Sequence, residues 1–277
     1  MTPINRFKEA ILAGRTQIGL WMALGDPVCA EISAGAGFDW LVIDAEHGPQ
    51  HLPGVLARLQ VIAAYPQCSA VVRVPSNEAG AIRQYLDLGA QTVLVPMVQN
   101  ADEAAAVVRA CRYPPEGTRC VGSARAAGWG RYEDYLLEAN RNVCVLVQVE
   151  TRGAVRNVAD ITRVEGVDGV FIGPADLAAS MGHIGQAEHP EVVEAVAVAI
   201  ERVRSHGKPA GCLAVGEAFA RRLLDQDVTF LAVGIDTRLL VQETTVLARR
   251  FEALASLCLS RRDVGSHESH TGAAPWE

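Results

Sequence analysis

A (β/α)₈ barrel is the fold class this sequence predicts, and three observations predict it. Short runs rich in Val, Ile and Leu recur at residues 18–21, 40–43, 70–74, 92–95, 143–149, 169–172, 210–213 and 230–233. They are continuously apolar rather than alternating, as strands covered on both faces must be. Helical spacing of apolar residues fills most of the intervals, as at 79–88, 101–112, 190–206 and 216–226. Finally, 277 residues at 49% hydrophobic are enough for one large α/β domain of this class. An open, doubly wound sheet is the alternative arrangement of the same elements.

Taken in order, the first fourteen residues carry no signal-peptide pattern. Gly35-Ala36-Gly37 precedes its strand instead of following it and lacks the third glycine of a dinucleotide loop, so it caps the preceding helix. There is no Walker A pattern, and no nucleotide cofactor is expected. Residues 113–142 break the alternation with Pro114-Pro115, several glycines and an arginine-rich stretch over 119–131. Such an excursion inside a compact domain reads as a functional loop or a subunit contact. After the last strand an apolar-periodic helix spans 239–259. The barrel domain is therefore expected over 1–258, and 259–277 as a polar, disordered tail in which His267 and His270 have no role.

Composition narrows the partners. A net charge of −7 without a basic run offers no footprint for nucleic acid or an anionic membrane. No apolar run approaches a membrane span. Cysteines at 29, 68, 111, 120, 144, 212 and 258 include no CxxC pair and several sit inside apolar runs, which fits reduced thiols in a cytoplasmic protein.

The chemistry concentrates where strands end, because barrel active sites are built at the carboxyl ends of the strands. The stretch from Cys144 to Asp176 reads strand–helix–strand, and its two strands finish in Glu150 and Asp176. A right-handed crossover brings both acids to one rim. Two such carboxylates repel unless a cation lies between them, and oxygen ligands suit Mg²⁺ or Mn²⁺. The plainer reading is that they are loop-entry or N-cap acids. Trp21 ends the first strand, Asp44-Ala45-Glu46-His47 follows the second, Arg73 closes the third, Gln148 lies near the end of the fifth, and Leu213 ends the seventh.

His47 is the best candidate general base or acid, with Asp44 placed to orient its ring. Its plainer reading is a satisfied surface histidine behind capping acids. His51, His183, His189 and His206 lack such neighbours in sequence. Arg73, at a buried strand end, demands an anionic partner, either a developing oxyanion or a neighbouring acid. Gly173-Pro174-Ala175-Asp176 offers backbone N–H groups at a helix start, where a substrate carboxylate can dock, or is an ordinary cap. The only lysines, Lys8 and Lys208, precede strands and so belong to the opposite rim. A Schiff-base aldolase needs an active-site lysine. None is expected here, so an enolate would have to rest on metal and arginine.

The segments GLWMALGDP, AGAGFDWLVIDAEHGP, VVRVP, LDLGAQTVLVPMV, RYPPEGTR, VLVQVET, GVDGVFIGPADLAASMG and FLAVGIDT resemble the HpcH/HpaI aldolase family, from about Arg15 to about Phe251. The resemblance implies a metal-dependent pyruvate aldolase that cleaves 4-hydroxy-2-oxo acids such as 4-hydroxy-2-oxoheptanedioate. Glu150 and Asp176 would ligate Mg²⁺, Mn²⁺ or Co²⁺, His47 would accept the proton and Arg73 would stabilise the transition state. Asp44 and Asp87 would support the histidine's basicity. Gln148 and the Gly173–Asp176 turn would contact substrate, and Trp21 and Leu213 would wall the aldehyde pocket. It also implies a hexamer built as a trimer of dimers, with the last helix exchanged between subunits. The rival readings are an aldolase for 2-keto-3-deoxy sugar acids, a citrate-lyase-like acyl-CoA lyase, which should need a basic surface, and a non-catalytic scaffold.

Overall fold

Eight parallel strands close into a barrel in sequence order: β1 (Gln17–Met22), β2 (Trp40–Asp44), β3 (Ser69–Arg73), β4 (Thr92–Val95), β5 (Cys144–Val149), β6 (Gly169–Ile172), β7 (Ala210–Leu213) and β8 (Phe230–Ile235), the last paired with the first. The open sheet is thereby excluded. The computed structural model describes residues 2–266 except Gln50 and Ser123, without the side chains of 257–266. Helix α1 (Arg6–Leu12) precedes β1, and α2 (Pro27–Ala34), α3 (Leu52–Ile62), α4 (Ala79–Asp87) and α5 (Ala101–Cys111) follow the first four strands. The excursion holds a short 3₁₀ turn (Arg125–Gly130) and α6 (Tyr135–Asn142). Then come α7 (Arg152–Arg156), α8 (Val158–Arg163), α9 (Pro174–Ser180), α10 (Pro190–Ser205), α11 (Glu217–Leu224) and α12 (Asp236–Ser266).

The interval between β5 and β6 is two short helices, broken at Asn157, yet the strands pair in parallel as its periodicity predicts. Gly35 caps α2 and Gly37 takes φ 100°, the role expected of those glycines. Residues 1–236 form one unit and residues from Thr237 a second. In the second, α12 continues to Ser266, so residues 259–266 are helical where a polar tail was expected. His267 and His270 lie outside the described residues.

Strand side chains alternate across the barrel wall. Outward residues pack under the helices in one apolar layer that includes Ile43, Val72, Val93, Val147 and Ile172. Inward residues form a second cluster of Trp40, Val42, Val71, Leu94, Leu146, Phe171 and Phe230, closed below by Phe7 and Ile11 of α1. Large rings fit because glycines face them: a Cβ on Gly19 would lie 2.4 Å from the Trp40 ring, and one on Gly211 2.1 Å from Phe230. Only glycine allows that approach.

The amino-end rim is stapled shut. Lys8 Nζ donates to the Val143 carbonyl and pairs with Asp168 at 3.1 Å, while Lys208 Nζ donates to Val164 O. Both lysines thus serve the rim opposite the strand carboxyl ends. The arginines of the excursion are also committed: Arg119 is buried over Tyr113 and pairs with Asp87, Arg125 Nη1 donates to Leu88 O, and Arg131 lies over Trp129. That arrangement is a brace on the barrel, not a free basic surface. A cleft of about 780 Å³ opens at this rim between α1 and the excursion, lined by Arg6, Glu9, Trp129 and Tyr132 among others.

Candidate active site

The same alternation that fills the barrel sends Trp21, Asp44, Arg73 and Gln148 inward as the topmost layer at the carboxyl-end rim. Asp44 and Arg73 face each other in register across β2 and β3. Arg73 Nε and Nη2 donate to Asp44 Oδ1 and Oδ2 at 3.0 and 2.6 Å, a bidentate pair with both side chains buried. The guanidinium lies 4.7 Å over the Trp21 ring, and Trp21 Nε1 donates to Asp44 Oδ2 at 3.0 Å. Arg73 Nη1 approaches Glu46 Oε2 at 2.8 Å as an ion pair without hydrogen-bond alignment. Burial raises the Asp44 pKa, but the bonds and charge of Arg73, with Trp21 and the His47 amide, outweigh it and hold Asp44 below its ordinary range. Glu46 is pushed up, chiefly by burial, against the pull of Arg73 and His47, with Asp44 and Asp176 adding to the rise.

Across the rim, Glu150 is 1% exposed. Its Oε1 accepts the Met97 N–H at 2.8 Å, and its Oε2 accepts from Gln148 Nε2 in a close contact. Its pKa rises to about 7, first from burial and further from Asp176 and Glu46, with the two hydrogen bonds opposing. Gln148 Oε1 is buried without a partner. A Cβ on Gly173 would stand 2.8 Å from Glu150 Oε2, so glycine keeps the cradle open. Asp176 lies exposed in the first turn of α9, where Pro174 occupies the first position and the Ala175 amide has no intrahelical acceptor. Leu213 is half-buried beside the inner cluster.

Asp44 and Glu46 therefore share the Arg73 guanidinium, while Glu150 and Asp176 lie within electrostatic reach of Glu46 with no Lys or Arg ion-pair partner among the described residues. A buried acid titrating near neutrality, an acid beside it and an orphaned amide oxygen form an oxygen-donor set that fits a divalent cation.

The HpcH/HpaI aldolase/citrate lyase family matches residues 17–243. The chain belongs to that family. It is 59% identical to a Rhodococcus jostii 4-hydroxy-2-oxovalerate aldolase over 92% of this chain and 98% of the relative. It is 55% identical to an Escherichia coli 4-hydroxy-2-oxo-heptane-1,7-dioate aldolase over 91% and 97%. Among solved structures, an HpcH/HpaI aldolase/citrate lyase family protein from Burkholderia cenocepacia superposes with a TM-score of 0.86 at 38% identity, covering 90% and 99%.

Within this HpcH/HpaI chain the structure departs from the sequence reading at two acids. Asp44 meets His47 through the backbone: its Oδ1 accepts the Glu46 and His47 N–H groups at 3.0 and 3.1 Å, while the His47 ring is 65% exposed with Glu46 4.0 Å away. Asp44 is too engaged with Arg73 to orient the ring. Asp87 ends α4 at the amino-end rim, bound to Arg119 at 2.9 Å, so within one chain it stands away from His47. Two contributors escaped the sequence reading. Phe171 faces Trp21 at 5.6 Å, which strand alternation from Gly169 would have shown. Met97, held at φ 56°, aims its N–H at Glu150, and nothing in the sequence signals that. His183 and His189, read as isolated, stack against each other. The buried thiols of Cys111 and Cys212 are driven by burial to about 12, which leaves them inert as nucleophiles.

Proposed function

We propose that this enzyme is a class II pyruvate aldolase acting on 4-hydroxy-2-oxo acids such as 4-hydroxy-2-oxoheptanedioate, releasing pyruvate and an aldehyde, here succinic semialdehyde. The observation that carries the reading is the excess of carboxyl groups over cations at the rim, with Glu150 titrating near 7. Glu150 and Asp176 would hold Mg²⁺, Mn²⁺ or Co²⁺, which when bound supplies Lewis acidity to the substrate's 2-oxo and carboxylate oxygens. The Ala175 amide would receive the substrate carboxylate and Gln148 would fix its orientation. His47, exposed at the rim, takes the proton of the C4 hydroxyl as the C3–C4 bond breaks. The electron pair passes into the enolate of pyruvate, whose oxygen faces Arg73. Two of the five guanidinium N–H groups are bonded to Asp44, and Nη1 meets Glu46 only as an ion pair, which leaves N–H groups for the enolate oxygen. Because Asp44 locks the guanidinium, its charge is in place before the reaction. A proton then returns to C3. The proposal carries with it a cytoplasmic homohexamer that exchanges α12 and acts on small molecules.

Deuterium exchange into the pyruvate methyl group in D₂O tests the chemistry. Exchange that depends on Mn²⁺ and vanishes in Glu150→Gln supports it; no exchange with metal present defeats it. The Rhodococcus relative favours a second reading, with acetaldehyde as the acceptor. The apolar walls offered by Trp21 and Leu213 suit that short aldehyde as well. Competition between acetaldehyde and succinic semialdehyde for pyruvate decides between them.

A further inference from the structure

A second donor cluster lies where residues 181–189 link α9 to α10. The rings of His183 and His189 stack with centroids 3.6 Å apart and 15° from parallel. Glu191 Oε2 lies 3.2 Å from His183 Nε2. One ligand atom from each of the three residues falls within 4.8 Å of the others.

The backbone builds this meeting. His183 N–H donates to Ala178 O at 2.8 Å, Gln186 to His183 O and His189 to Gln186 O, each at 2.9 Å. Gly182 at φ 90° and Gly185 at φ 77° let the loop fold back without Cβ strain. Helix capping alone leaves much of this unexplained. His189 Nδ1 does accept the Glu191 N–H, but at 3.3 Å, and Asp, Asn or Ser caps a helix better than histidine does. A cap also has no use for a second imidazole laid face to face on the first.

We propose that His183, His189 and Glu191 form a transition-metal site that takes Ni²⁺, Zn²⁺ or Cu²⁺ and discriminates against Mg²⁺. Two imidazole nitrogens and one carboxylate oxygen suit the borderline ions, whereas Mg²⁺ requires an all-oxygen shell. Metal–nitrogen bonds of ~2.0–2.1 Å draw the three donors closer than they stand here. Glu191 is 64% exposed on its side chain and free to swing inward, and the long capping contact of His189 is readily exchanged for a metal bond. Once bound, the ion ties the loop leaving α9, whose first turn carries Asp176, to the start of α10.

Equilibrium dialysis of tag-free protein against Ni²⁺ tests the site in the Glu150→Gln/Asp176→Asn background, so that the result is independent of the aldolase reading. The expected result is about one Ni²⁺ per chain. Affinity should fall at least tenfold in His183→Phe, which keeps the ring stack, and in His189→Asn, which keeps the cap. Saturating Mg²⁺ should not displace the ion. Absence of Ni²⁺ binding in that background, or equal binding after both histidine substitutions, would overturn the proposal.

Discussion

The two rims of this barrel are made from the same eight strands and hold their charges in opposite ways. At the amino end several buried or half-buried cations are matched to carbonyls or acids: Lys8 to Val143 O and Asp168, Lys208 to Val164 O, Arg119 to Asp87. At the carboxyl end Arg73 is shared between two acids, while Glu150 feels the charge of Asp176 and neither has a Lys or Arg ion-pair partner among the described residues. A satisfied rim stabilises; an unbalanced one is ready to take up charge. The cleft of about 780 Å³ lies at the satisfied rim, away from that imbalance. Its arginines are already engaged, with Arg6 on Pro66 O, Arg119 on Asp87 and Arg125 on Leu88 O.

The sharpest break of this contrast is Arg73→Ala. It removes the preorganised charge and leaves Asp44 and Glu46 buried together, so turnover should fall on the order of 10³-fold. The same loss should lower stability by about 3–5 kcal/mol, read as a drop in Tm. Near-normal turnover would remove Arg73 from the mechanism. Next is Glu150→Gln, expected to weaken Mn²⁺ binding by roughly 100-fold or more in calorimetry. In the wild type, protons compete with metal for a carboxylate that titrates near 7, so affinity should fall about tenfold per unit as pH drops below 7. A raised folded-state pKa stabilises the metal-free protein below the ordinary value of 4.5, and that contribution is lost as pH rises through 7. Metal should abolish this dependence, and the Gln variant should lack it.

Gly173→Ala crowds Glu150 without changing charge. It should cost about 1–3 kcal/mol, appearing as weaker metal binding more than as a lower Tm. Lys8→Met at the opposite rim should do the reverse, lowering stability by ~1.5–3 kcal/mol with kcat unchanged. A large kcat loss in that variant would collapse the distinction between the rims. Smallest is Leu213→Ala, expected to shift the acetaldehyde to succinic semialdehyde preference by no more than about tenfold.

Much of this was legible before any coordinates. Continuous apolar runs gave the strands within a residue or two, because a strand buried on both faces leaves little room for polar residues. Residues following those runs located Asp44, Arg73, Gln148, Glu150 and Asp176 on one rim. The breakdown comes where a side chain chooses between neighbours. Sequence put Asp44 on the His47 ring; in the fold, Arg73 is in register with it and takes both oxygens. Sequence left His183 and His189 alone because five residues separate them, and only the folded-back loop unites them.

The sequence by itself determined the alternation of strands and helices and the rim on which these acids and Arg73 gather, since periodicity and strand polarity are local properties carried by each segment. Closure into a barrel was decided by the pairing of β8 with β1. The tertiary structure decided the pairing of charges, the φ 56° turn that aims Met97 at Glu150, and the environment that raises that acid to about 7. Those depend on distances between residues far apart in the chain, and a Coulomb interaction is set by such distances and by burial.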